Sequence, residues 1–339
     1  MVRTGKQVTI QQIADHCGLS KSTVAYVLRK GEQSVSSEKT RKLVMETARK
    51  LGYRGNPAAR ALSTRCYHAI GLLFPQAEGS YAELMIHLDR TLKKKGYHGI
   101  YSFWHNGGFQ EALDKLCQQG IDGIISLDND PYPDPGKPTV IYGNPKTEFD
   151  CVWPDKVDCI LRAADYLIRR GYTRIGFAGL TREIRAMALR RELAARGLEV
   201  REEWFLHTRA AVLDNGPDIG RKLLELEERP EALILHSDTL VPGLLHEIRG
   251  RISVPGELAL IGFDNVKESR YFDPPLTTFD QCLEAAAEQL VELLFLRMEQ
   301  PDAPLVSRSF TMPLIERDST PERIGRKTNQ RIYRTEKSK

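Results

Sequence analysis

The 339-residue sequence lacks the features of a membrane-bound, exported or disulfide-bonded protein. It contains no run of about 18 apolar residues, so no transmembrane helix is expected. Its first residues, MVRTGKQVTIQQIADHCG, hold no apolar signal core, and we therefore expect a cytoplasmic protein. The six cysteines are scattered and form no C-x-x-C pair, which indicates reduced thiols and neither a disulfide framework nor a zinc site.

The common motifs of catalysis and cofactor binding are missing as well. No G-x-G-x-x-G, G-x-x-x-x-G-K-[ST], H-E-x-x-H or G-x-S-x-G occurs anywhere in the sequence. These motifs provide phosphate-binding backbone, metal ligands and nucleophilic serines. We therefore expect no catalytic residue, no metal and no cofactor, and an enzyme on an α/β scaffold is the disfavoured alternative.

Charge is distributed unevenly along the chain. Residues 1–66 carry 13 Lys and Arg against 4 Asp and Glu, a net charge of +9. Residues 67–316 have a net charge of −10, and residues 317–339 a net charge of +5. A small basic head on a large acidic body indicates a nucleic-acid-binding module joined to a second module.

The head has the pattern of two short helices separated by a tight turn. Thr9 and Gln12 have the spacing of a capping box, and Gly18 marks the end of this first helix. Ser20 can cap a second helix over residues 21–28. Two such helices predict a helix-turn-helix, whose second helix enters the major groove of DNA.

A third helix and a linker follow this pair. The third helix is expected to begin near Ser36 or Ser37 and to end at Gly52, which is enough to bury a small three-helix core. Beyond it, Asn56-Pro57 is a good helix start with proline at the first helical position. The helix that follows is too short to be stable alone in water, so this hinge is suited to fold on DNA.

From Ala69 onwards, short apolar runs alternate with amphipathic stretches. Strands are predicted at 70–74, 98–103, 121–127, 174–179, 232–236 and 258–264, with helices at 81–95, 109–119, 184–196 and 239–250. This alternation is typical of parallel sheets covered by helices on both faces. Two such series indicate two similar subdomains. Ligands of open parallel sheets bind beyond the carboxyl ends of the strands, so we expect a small molecule in the cleft between the subdomains.

These patterns together resemble the lactose-repressor (LacI/GalR) family of bacterial regulators. The matching stretches are VTIQQIADHCGLSKSTVAYVL, SSEKTRKLV, LGY, NPAARALSTR and AIGLLFP, and the resemblance covers about residues 8–316. It implies an all-α helix-turn-helix head with a hinge helix, joined to an α/β two-subdomain body like that of the periplasmic sugar-binding proteins. It also implies a homodimer on double-stranded DNA, with a near-palindromic operator because protein symmetry is copied onto DNA.

The resemblance sets the expected domain boundaries. They are a DNA-binding head at 1–54, a hinge helix and linker at 55–67, an effector-binding and dimerisation domain at 68–316, and a basic, disordered tail at 317–339. Within the body, the N-subdomain is expected at about 68–168 plus 283–310, and the C-subdomain at about 169–282 plus 311–316.

The family's DNA contacts transfer to ten positions. Those expected to read base edges are Lys21, Ser22 and Tyr26. Those expected to hold phosphates are Thr9, Ser20, Thr23 and Thr40. The hinge contacts are Asn56, Ala59 and Leu62, of which Leu62 matches the minor-groove wedge. Tyr26 stands where arginine is common, so the operator preference should differ, and helix packing or a phosphate contact is the alternative for this residue.

Five positions are candidates for ligand binding. Asp264 ends its predicted strand at the cleft, and Arg185 matches the family's ligand-binding arginine, a planar donor fork. A structural cap or an ion pair is the alternative for both residues. Asp238 matches a family aspartate, although capping the next helix is an equal alternative. Ser237 replaces the usual asparagine. Trp153 could stack on a ligand or pack in the core.

Two further features bear on the ligand. Residues 128–138, DNDPYPDPGKP, form a proline-rich loop where the family has a helix. Arg182, Arg185 and Arg190 would suit an anionic ligand, or they form a solvated helix face.

The function expected from the resemblance is transcriptional regulation, most simply repression, controlled by a sugar or sugar derivative. A solute-binding protein for transport fits the body but not the basic head. A DNA-binding regulator whose cleft is empty or binds a protein is the remaining alternative.

Overall fold

The computed structural model describes residues 8–30, 34–53, 66–75, 77–104, 108–127, 132–143, 148–209 and 213–323. The chain divides into two compact units, residues 1–67 and 68–339, here called the head and the body. Within the described ranges, no helix has the length and apolar character needed to span a bilayer.

The head is a three-helix unit. Its helices are α1 Ile10–Cys17, α2 Lys21–Lys30 and α3 Glu38–Lys50. The predicted capping box is present at α1, where Gln12 N donates to Thr9 Oγ1 and Thr9 N donates to Gln12 Oε1. Gly18 ends α1 with φ +63°, a left-handed conformation that glycine adopts without strain. The core of the head consists of Ile13, Ala14, Val24, Val27, Val44 and Ala48.

The first lobe of the body is a parallel sheet with helices on both faces. Its strands are β1 Ala69–Phe74, β2 His98–Phe103, β3 Gly123–Leu127, β4 Thr139–Tyr142, β5 Asp150–Pro154 and β11 Ser307–Phe310, in the order β11-β5-β4-β3-β1-β2. Its helices are α4 Gly79–Lys94, α5 Phe109–Cys117 and α10 Leu283–Glu299. The buried strands are apolar because helices cover both of their faces.

The second lobe repeats this arrangement. Its strands are β6 Ile175–Gly179, β7 Phe205–His207, β8 Ala232–Leu235, β9 Ala259–Gly262, β10 Thr277–Phe279 and β12 Leu314–Ile315, in the order β12-β10-β9-β8-β6-β7. Its helices are α6 Lys156–Arg169, α7 Ile184–Ala195, α8 Gly216–Glu225 and α9 Val241–Ile248. The predicted fold class, a helical head and an α/β body of two sheets, is confirmed.

The boundary between the lobes differs from the predicted one. Helix α6 packs Cys159, Ile160 and Leu167 into the core of the second lobe. The chain therefore leaves the first lobe near Asp155, and the predicted end of the N-subdomain at residue 168 was wrong. In the sequence this boundary is marked by Pro154, which ends β5, and by Asp155, which caps α6 by accepting from Asp158 N.

The predicted tail also begins too early. Residues 317–323 are packed onto the second lobe, and Ser319 and Thr320 are each only 1% exposed. Thr277 N donates to Ser319 Oγ (2.8 Å), and Ser319 Oγ donates to Leu260 O (2.7 Å). Arg323 pairs with the buried carboxylate of Glu231. The expectation of disorder from residue 317 was wrong. It rested on the polar composition of the segment, which does not show that these polar groups form buried hydrogen bonds with the second lobe. Residues 324–339 lie outside the described residues.

The proline-rich segment contributes an aromatic contact to the first lobe. The Tyr132 ring packs edge-on against Phe109 at 5.0 Å and against Phe149 at 5.2 Å between ring centroids. Such edge-to-face pairs stabilise by about 0.5–1.5 kcal/mol each beyond area burial. Residues 128–131 of this loop lie outside the described residues.

Candidate DNA-binding and ligand-binding sites

Helix α2 divides into a buried face and a polar face. Val24 and Val27 are fully buried in the core of the head, whereas Lys21 and Ser22 are exposed. Tyr26 is half-buried on the same helix. An amphipathic helix of this kind can place its polar residues against base edges while its apolar face stays in the core.

The hydroxyl groups predicted to hold phosphates lie at helix N-termini. Ser20 Oγ accepts from Thr23 N (3.1 Å) and lies 2.8 Å from Thr23 Oγ1. Thr9 caps α1, and Thr40 Oγ1 lies 2.9 Å from the α3 cap Ser37. Helix N-termini favour anions, so these positions suit phosphate contacts. The hinge candidates, Asn56, Ala59 and Leu62, lie outside the described residues.

The body contains a cavity of about 260 Å³ between its two lobes, at the carboxyl ends of the strands. Most of the first-lobe lining is apolar or aromatic: Pro75, Tyr81, Trp104, Leu127 and Tyr142. The second-lobe lining is mainly charged or polar: Lys156, Arg185, His236, Ser237, Thr239 and Asp264, with Phe263 and the crossover residue Gln281. A ligand here would contact an apolar wall on one side and hydrogen-bonding groups on the other.

Asp264 and Ser237, two of the predicted ligand residues, lie together in this lining. Ser237 Oγ and Asp238 N donate to Asp264 Oδ2, and Gln281 Nε2 donates to Oδ1. Burial raises the pKa of Asp264, and the donors oppose this shift by stabilising the charged form. Asp264 is therefore a buried carboxylate held rigidly at the wall of the cavity.

Arg185 also lines the cavity, but its guanidinium is occupied. Nε donates to both carboxylate oxygens of Glu183 (3.1 Å each), and Nη1 donates to His236 O (3.0 Å). Nη2 lies 2.8 Å from His236 Nδ1 and 2.9 Å from its Nε2. The Phe263 ring lies 4.9 Å from the guanidinium carbon, a cation–π distance. Arg185 is thus held in one position by groups of its own lobe.

Glu183 and His236 were not predicted from the sequence. Burial alone would raise the pKa of Glu183, but Arg185 and His236 outweigh it and hold this pKa well below its usual range. Burial and the charge of Arg185 lower the pKa of His236 to about 4, so the imidazole is neutral near pH 7. The two-residue spacing of Glu183 and Arg185 is only a weak sequence signal for an ion pair. His236 follows a different strand, 51 residues further along the chain, so its contact with Arg185 can be recognised only in the folded structure.

Asp238, another ligand candidate, is engaged in hydrogen bonds within the second lobe. It is fully buried, and Oδ1 accepts from Phe263 N (2.8 Å) and Thr278 Oγ1 (2.7 Å). Oδ2 accepts from Val266 N (3.2 Å). Its carboxylate therefore holds the loop after β9 in place, and it is not among the residues that line the cavity.

The structure does not place Trp153, another ligand candidate, in the lining of the cavity. Its indole Nε1 donates to Ser307 Oγ (3.0 Å) on the neighbouring strand β11, and the residue does not line the cavity. Successive residues of a strand face opposite sides, and the next residue, Pro154, is the one at the cavity. The side chain is half-buried in the first lobe, which fits the packing alternative.

Several contacts join the two lobes around the cavity. Tyr142 Oη donates to Gln281 Oε1 (3.1 Å), and Lys267 Nζ lies 3.3 Å from Glu83 Oε1. Gly79, with φ +55°, approaches the second lobe so closely that a Cβ there would lie 2.9 Å from Thr239 Cγ2. Alternation of strands and helices predicts the position of the cleft but not these contacts, which depend on how the lobes face one another.

Among the residues described, no group of three or more His, Cys, Asp or Glu side chains could hold a metal ion.

Comparisons with known proteins agree with this architecture. Residues 9–56 match the bacterial regulatory proteins of the lacI family, and residues 164–320 match the periplasmic binding protein-like domain. The chain is 30% identical over 317 residues to the HTH-type transcriptional repressor PurR of Yersinia pestis bv. Antiqua, covering 86% of this chain and 90% of that protein. It is 27% identical over 334 residues to the PurR repressor of Vibrio cholerae serotype O1 (strain M66-2), covering 92% and 97%.

Solved structures show the same fold. The lac repressor dimer bound to operator and the anti-inducer ONPF superposes with a TM-score of 0.81 at 20% identity, over 93% of this chain and 100% of that chain. The transcriptional regulator CelR in complex with cellobiose gives a TM-score of 0.68 at 24% identity, over 92% and 100%. With the head, the two-lobed body and relatives that match over nearly their full length, the chain belongs to the LacI family of bacterial regulatory proteins.

Proposed function

We propose that this protein is a cytoplasmic, homodimeric transcriptional repressor whose affinity for operator DNA is set by a small molecule bound between the lobes of its body. The observation that carries the proposal is the joint presence of a helix-turn-helix head and a lined interlobe cavity in one chain. Relatives that cover most of the chain are named repressors, which supports repression as the direction of control.

Binding to double-stranded DNA is supported by the head. Lys21, Ser22 and Tyr26 share α2, and the exposed ammonium of Lys21 can donate to guanine O6 and N7. Ser20, Thr23, Thr9 and Thr40 would hold phosphates and fix the register of the helix. Asn56, Ala59 and Leu62 remain the proposed minor-groove contacts of the hinge.

A carbohydrate-like effector is supported by the two walls of the cavity. Trp104 and Tyr81 on the first lobe can cover the apolar face of a sugar ring, whereas Asp264 on the second lobe can accept from its hydroxyl groups. The structures that this fold resembles include a regulator with bound ribose and one with cellobiose. The volume of about 260 Å³ suits a ligand of one or two rings.

Dimerisation is supported by apolar residues on one side of the first lobe. Ile86 on α4 is 48% exposed, and Tyr101 and Phe103 on the edge strand β2 are 37% and 39% exposed. Exposed apolar residues next to an edge strand mark an interaction surface. A two-fold pair of chains would place two heads on a near-palindromic site.

A regulator without a small-molecule effector is the second candidate. It is favoured by the observation that Arg185 and Asp264 already have hydrogen-bond partners within the protein. In that case the cavity would be a structural space between lobes, and DNA affinity would respond to no small molecule.

The experiment begins by selecting DNA ligands of the full chain from a random pool. We expect a near-palindromic site, and Lys21→Ala should weaken binding to it by about 1–3 kcal/mol and relax the preference at one base pair. A selected site without symmetry contradicts the dimer, and an equal loss on random DNA assigns Lys21 to a phosphate.

The effector is then sought by thermal shift of the full chain against sugars, sugar acids, sugar phosphates and nucleobases. A ligand at 100 times its Kd adds about 2.7 kcal/mol to the free energy of unfolding, which a melting curve detects. Loss of the shift in Arg185→Ala and Asp264→Ala assigns it to the cavity. A blank result across the library supports the regulator without an effector.

A further inference from the structure

We propose that Glu183 determines ligand specificity in the cleft by acting as a built-in counter-ion for Arg185, so that the cavity rejects ligands with an ionised acid group. This inference rests on the proposed function, in which the cavity takes a ligand. It gives Glu183 a role in ligand selection, because the acid group of a ligand would have to bind the Arg185 nitrogens Nε and Nη2 that Glu183 already occupies.

The geometry of Arg185 is the first step. Its Nε donates to Glu183 at 3.1 Å, and its Nη2 lies 3.0 Å from Glu183 Oε2. A carboxylate held by Nε and Nη2 occupies the edge of the guanidinium that a ligand acid would use for a two-point contact. The remaining terminal nitrogen, Nη1, donates to the backbone oxygen of His236 at 3.0 Å.

His236 completes the pairing. Its Nδ1 lies 2.9 Å from Glu183 Oε2 and its Nε2 lies 2.9 Å from Arg185 Nη2. Nη2 of Arg185 also lies 2.8 Å from Nδ1, so the ring edge meets both partners, and the tautomer protonated on Nδ1 can donate to Glu183 while Nε2 accepts from Arg185. A neutral histidine of this kind ties the acid and the base together and adds no charge to the cavity.

Burial makes the Arg185–Glu183 ion pair costly to separate. Arg185 is 4% exposed, and the side chain of Glu183 is 21% exposed. A buried ion pair is maintained because removing one partner leaves the other charge unpaired in a medium of low polarity. An anionic ligand that took Arg185 would leave Glu183 in that position, and it would also be repelled by the carboxylate.

The other charges around the cavity do not restore an anion site on this wall. Glu78 and Asp264 add negative charge to the lining, and Lys156 is its other cation besides Arg185. Arg190 lies outside the lining and is paired with Glu202. Two of the clustered arginines that suggest an anionic ligand in the sequence, Arg185 and Arg190, are therefore paired with carboxylates in the fold.

A ligand that fits this wall has neutral hydrogen-bonding groups. Hydroxyl or amide groups can donate to Asp264 without displacing Glu183 from Arg185. Glu183 does not itself line the cavity, so it acts as a positioning residue that occupies the guanidinium of Arg185, which does line it.

Inorganic phosphate tests the assignment in the full chain without knowledge of the effector. Four proteins are compared: wild type, Glu183→Gln, the double variant Glu183→Gln/Arg185→Gln, and Glu202→Gln as a control that frees an arginine outside the cavity. Binding is measured by calorimetry and by the melting temperature in phosphate against chloride of equal ionic strength. Lys156→Gln identifies any binding that depends on the lysine.

The expected result is that Glu183→Gln binds phosphate at least about tenfold more tightly than wild type and Glu202→Gln, and that the double variant loses this gain. A folded Glu183→Gln with no gain overturns the proposal, as does wild type that already binds phosphate through Arg185. If Glu183→Gln is unstable, Glu183→Ala replaces it, and phosphate must then raise its melting temperature more than that of the Arg185→Gln double variant.

Paired probes separate this proposal from the proposed function. Wild type is tested with two pairs of ligands, each a neutral sugar and its acid: glucose and glucuronate, and galactose and galacturonate. An acid that binds more tightly than its neutral partner, in a way that Arg185→Gln abolishes, contradicts the role of Glu183. Absence of every small-molecule response counts against the effector, whereas the phosphate result still decides whether Glu183 closes an anion site.

Discussion

The two lobes of the body have equivalent strand orders but are completed differently at one edge. In the first lobe, β11 adds in parallel to β5, and the chain then leaves for the other lobe. In the second lobe, β12 adds antiparallel to β10, and residues 317–323 continue across the sheet with buried hydrogen bonds. We therefore expect residues 317–323 to contribute to the stability of the second lobe and not to that of the first.

The lobes also differ in what they present to the cavity. The first lobe offers rings and aliphatic side chains, such as Trp104 and Leu127. The second offers polar and charged groups that are hydrogen-bonded within that lobe, among them Arg185, His236 and Asp264. Specificity should therefore depend mainly on the second lobe, while the first lobe supplies apolar contact area.

The largest expected effect comes from shortening the chain. Ending it after Glu316 removes Arg317, Ser319 and Thr320, and leaves buried groups such as Thr277 N without partners. We expect a loss of roughly 5 kcal/mol in the free energy of unfolding of the second lobe. Ending the chain after Arg323 is the matched control, with an expected change below about 0.5 kcal/mol.

Tryptophan fluorescence during urea unfolding assigns that loss to one lobe. Trp204, fully buried in the second lobe, is the remaining probe once Trp104 and Trp153 of the first lobe are changed to phenylalanine. Equal destabilisation by both truncations, or a Trp204 unfolding transition that the truncation after Glu316 does not shift, would show that residues 317–323 do not complete the second lobe.

The next largest effect is expected for Asp238→Ala. Three donors lose their acceptor: Phe263 N, Val266 N and Thr278 Oγ1. Each buried group left unpaired costs about 1–3 kcal/mol, so we expect a total of about 3–5 kcal/mol in the urea unfolding of the full chain. Asp218→Ala, which breaks an exposed pair with Lys222, should cost less than about 0.5 kcal/mol. A similar small cost at Asp238 would return this residue to the list of ligand contacts.

His236 should make the second lobe sensitive to acid. Its pKa is lowered to about 4 in the folded protein, so between pH 6.5 and pH 4 the unfolded chain binds the proton and the folded chain does not. Stability is therefore full above pH 6.5 and falls as the pH is lowered, by about 3 kcal/mol at pH 4. In His236→Asn this part of the pH dependence should be absent from melting temperatures recorded between pH 8 and pH 4. Parallel curves for the two proteins would contradict the neutral histidine between Glu183 and Arg185.

The smallest effect concerns a contact between the lobes. Tyr142→Phe removes the hydrogen bond to Gln281 and should cost about 1 kcal/mol in urea unfolding. Tyr101→Phe is the control, because that hydroxyl makes a long 3.4 Å contact with Met85 O inside the first lobe. If the two variants lose the same stability, the Tyr142–Gln281 contact does not couple the lobes.

Local signals allowed much of the fold to be predicted. The capping box of Thr9 and Gln12 and the helix end at Gly18 depend only on residues close together in the sequence. Both are found in the structure as expected. Strong apolar runs such as residues 70–74 mark the central strands, which are buried on both faces. Short edge strands such as β7 and β12 were missed because two or three residues carry no periodicity.

The candidate site was predicted less completely, because its groups meet only in three dimensions. Arg185, Ser237 and Asp264 do line the cavity. They could be predicted because strand ends and the family resemblance both pointed to them. Trp153 and Asp238 do not line the cavity, and their positions in the sequence could not show this, because they fix neither the face of a strand nor the direction of a carboxylate. His236 was missed because its contact with Arg185 spans 51 residues.

The most direct test of the account is a pair of titrations of the full chain with its selected operator and the small molecule found by thermal shift. Control of DNA binding through the cavity requires the ligand to change operator affinity and the operator to change ligand affinity by the same factor. We predict equal factors of about 5–150 in wild type and a factor of 1 in Arg185→Ala. Tight ligand binding that leaves operator affinity unchanged, or a full response retained in Arg185→Ala, would contradict the account.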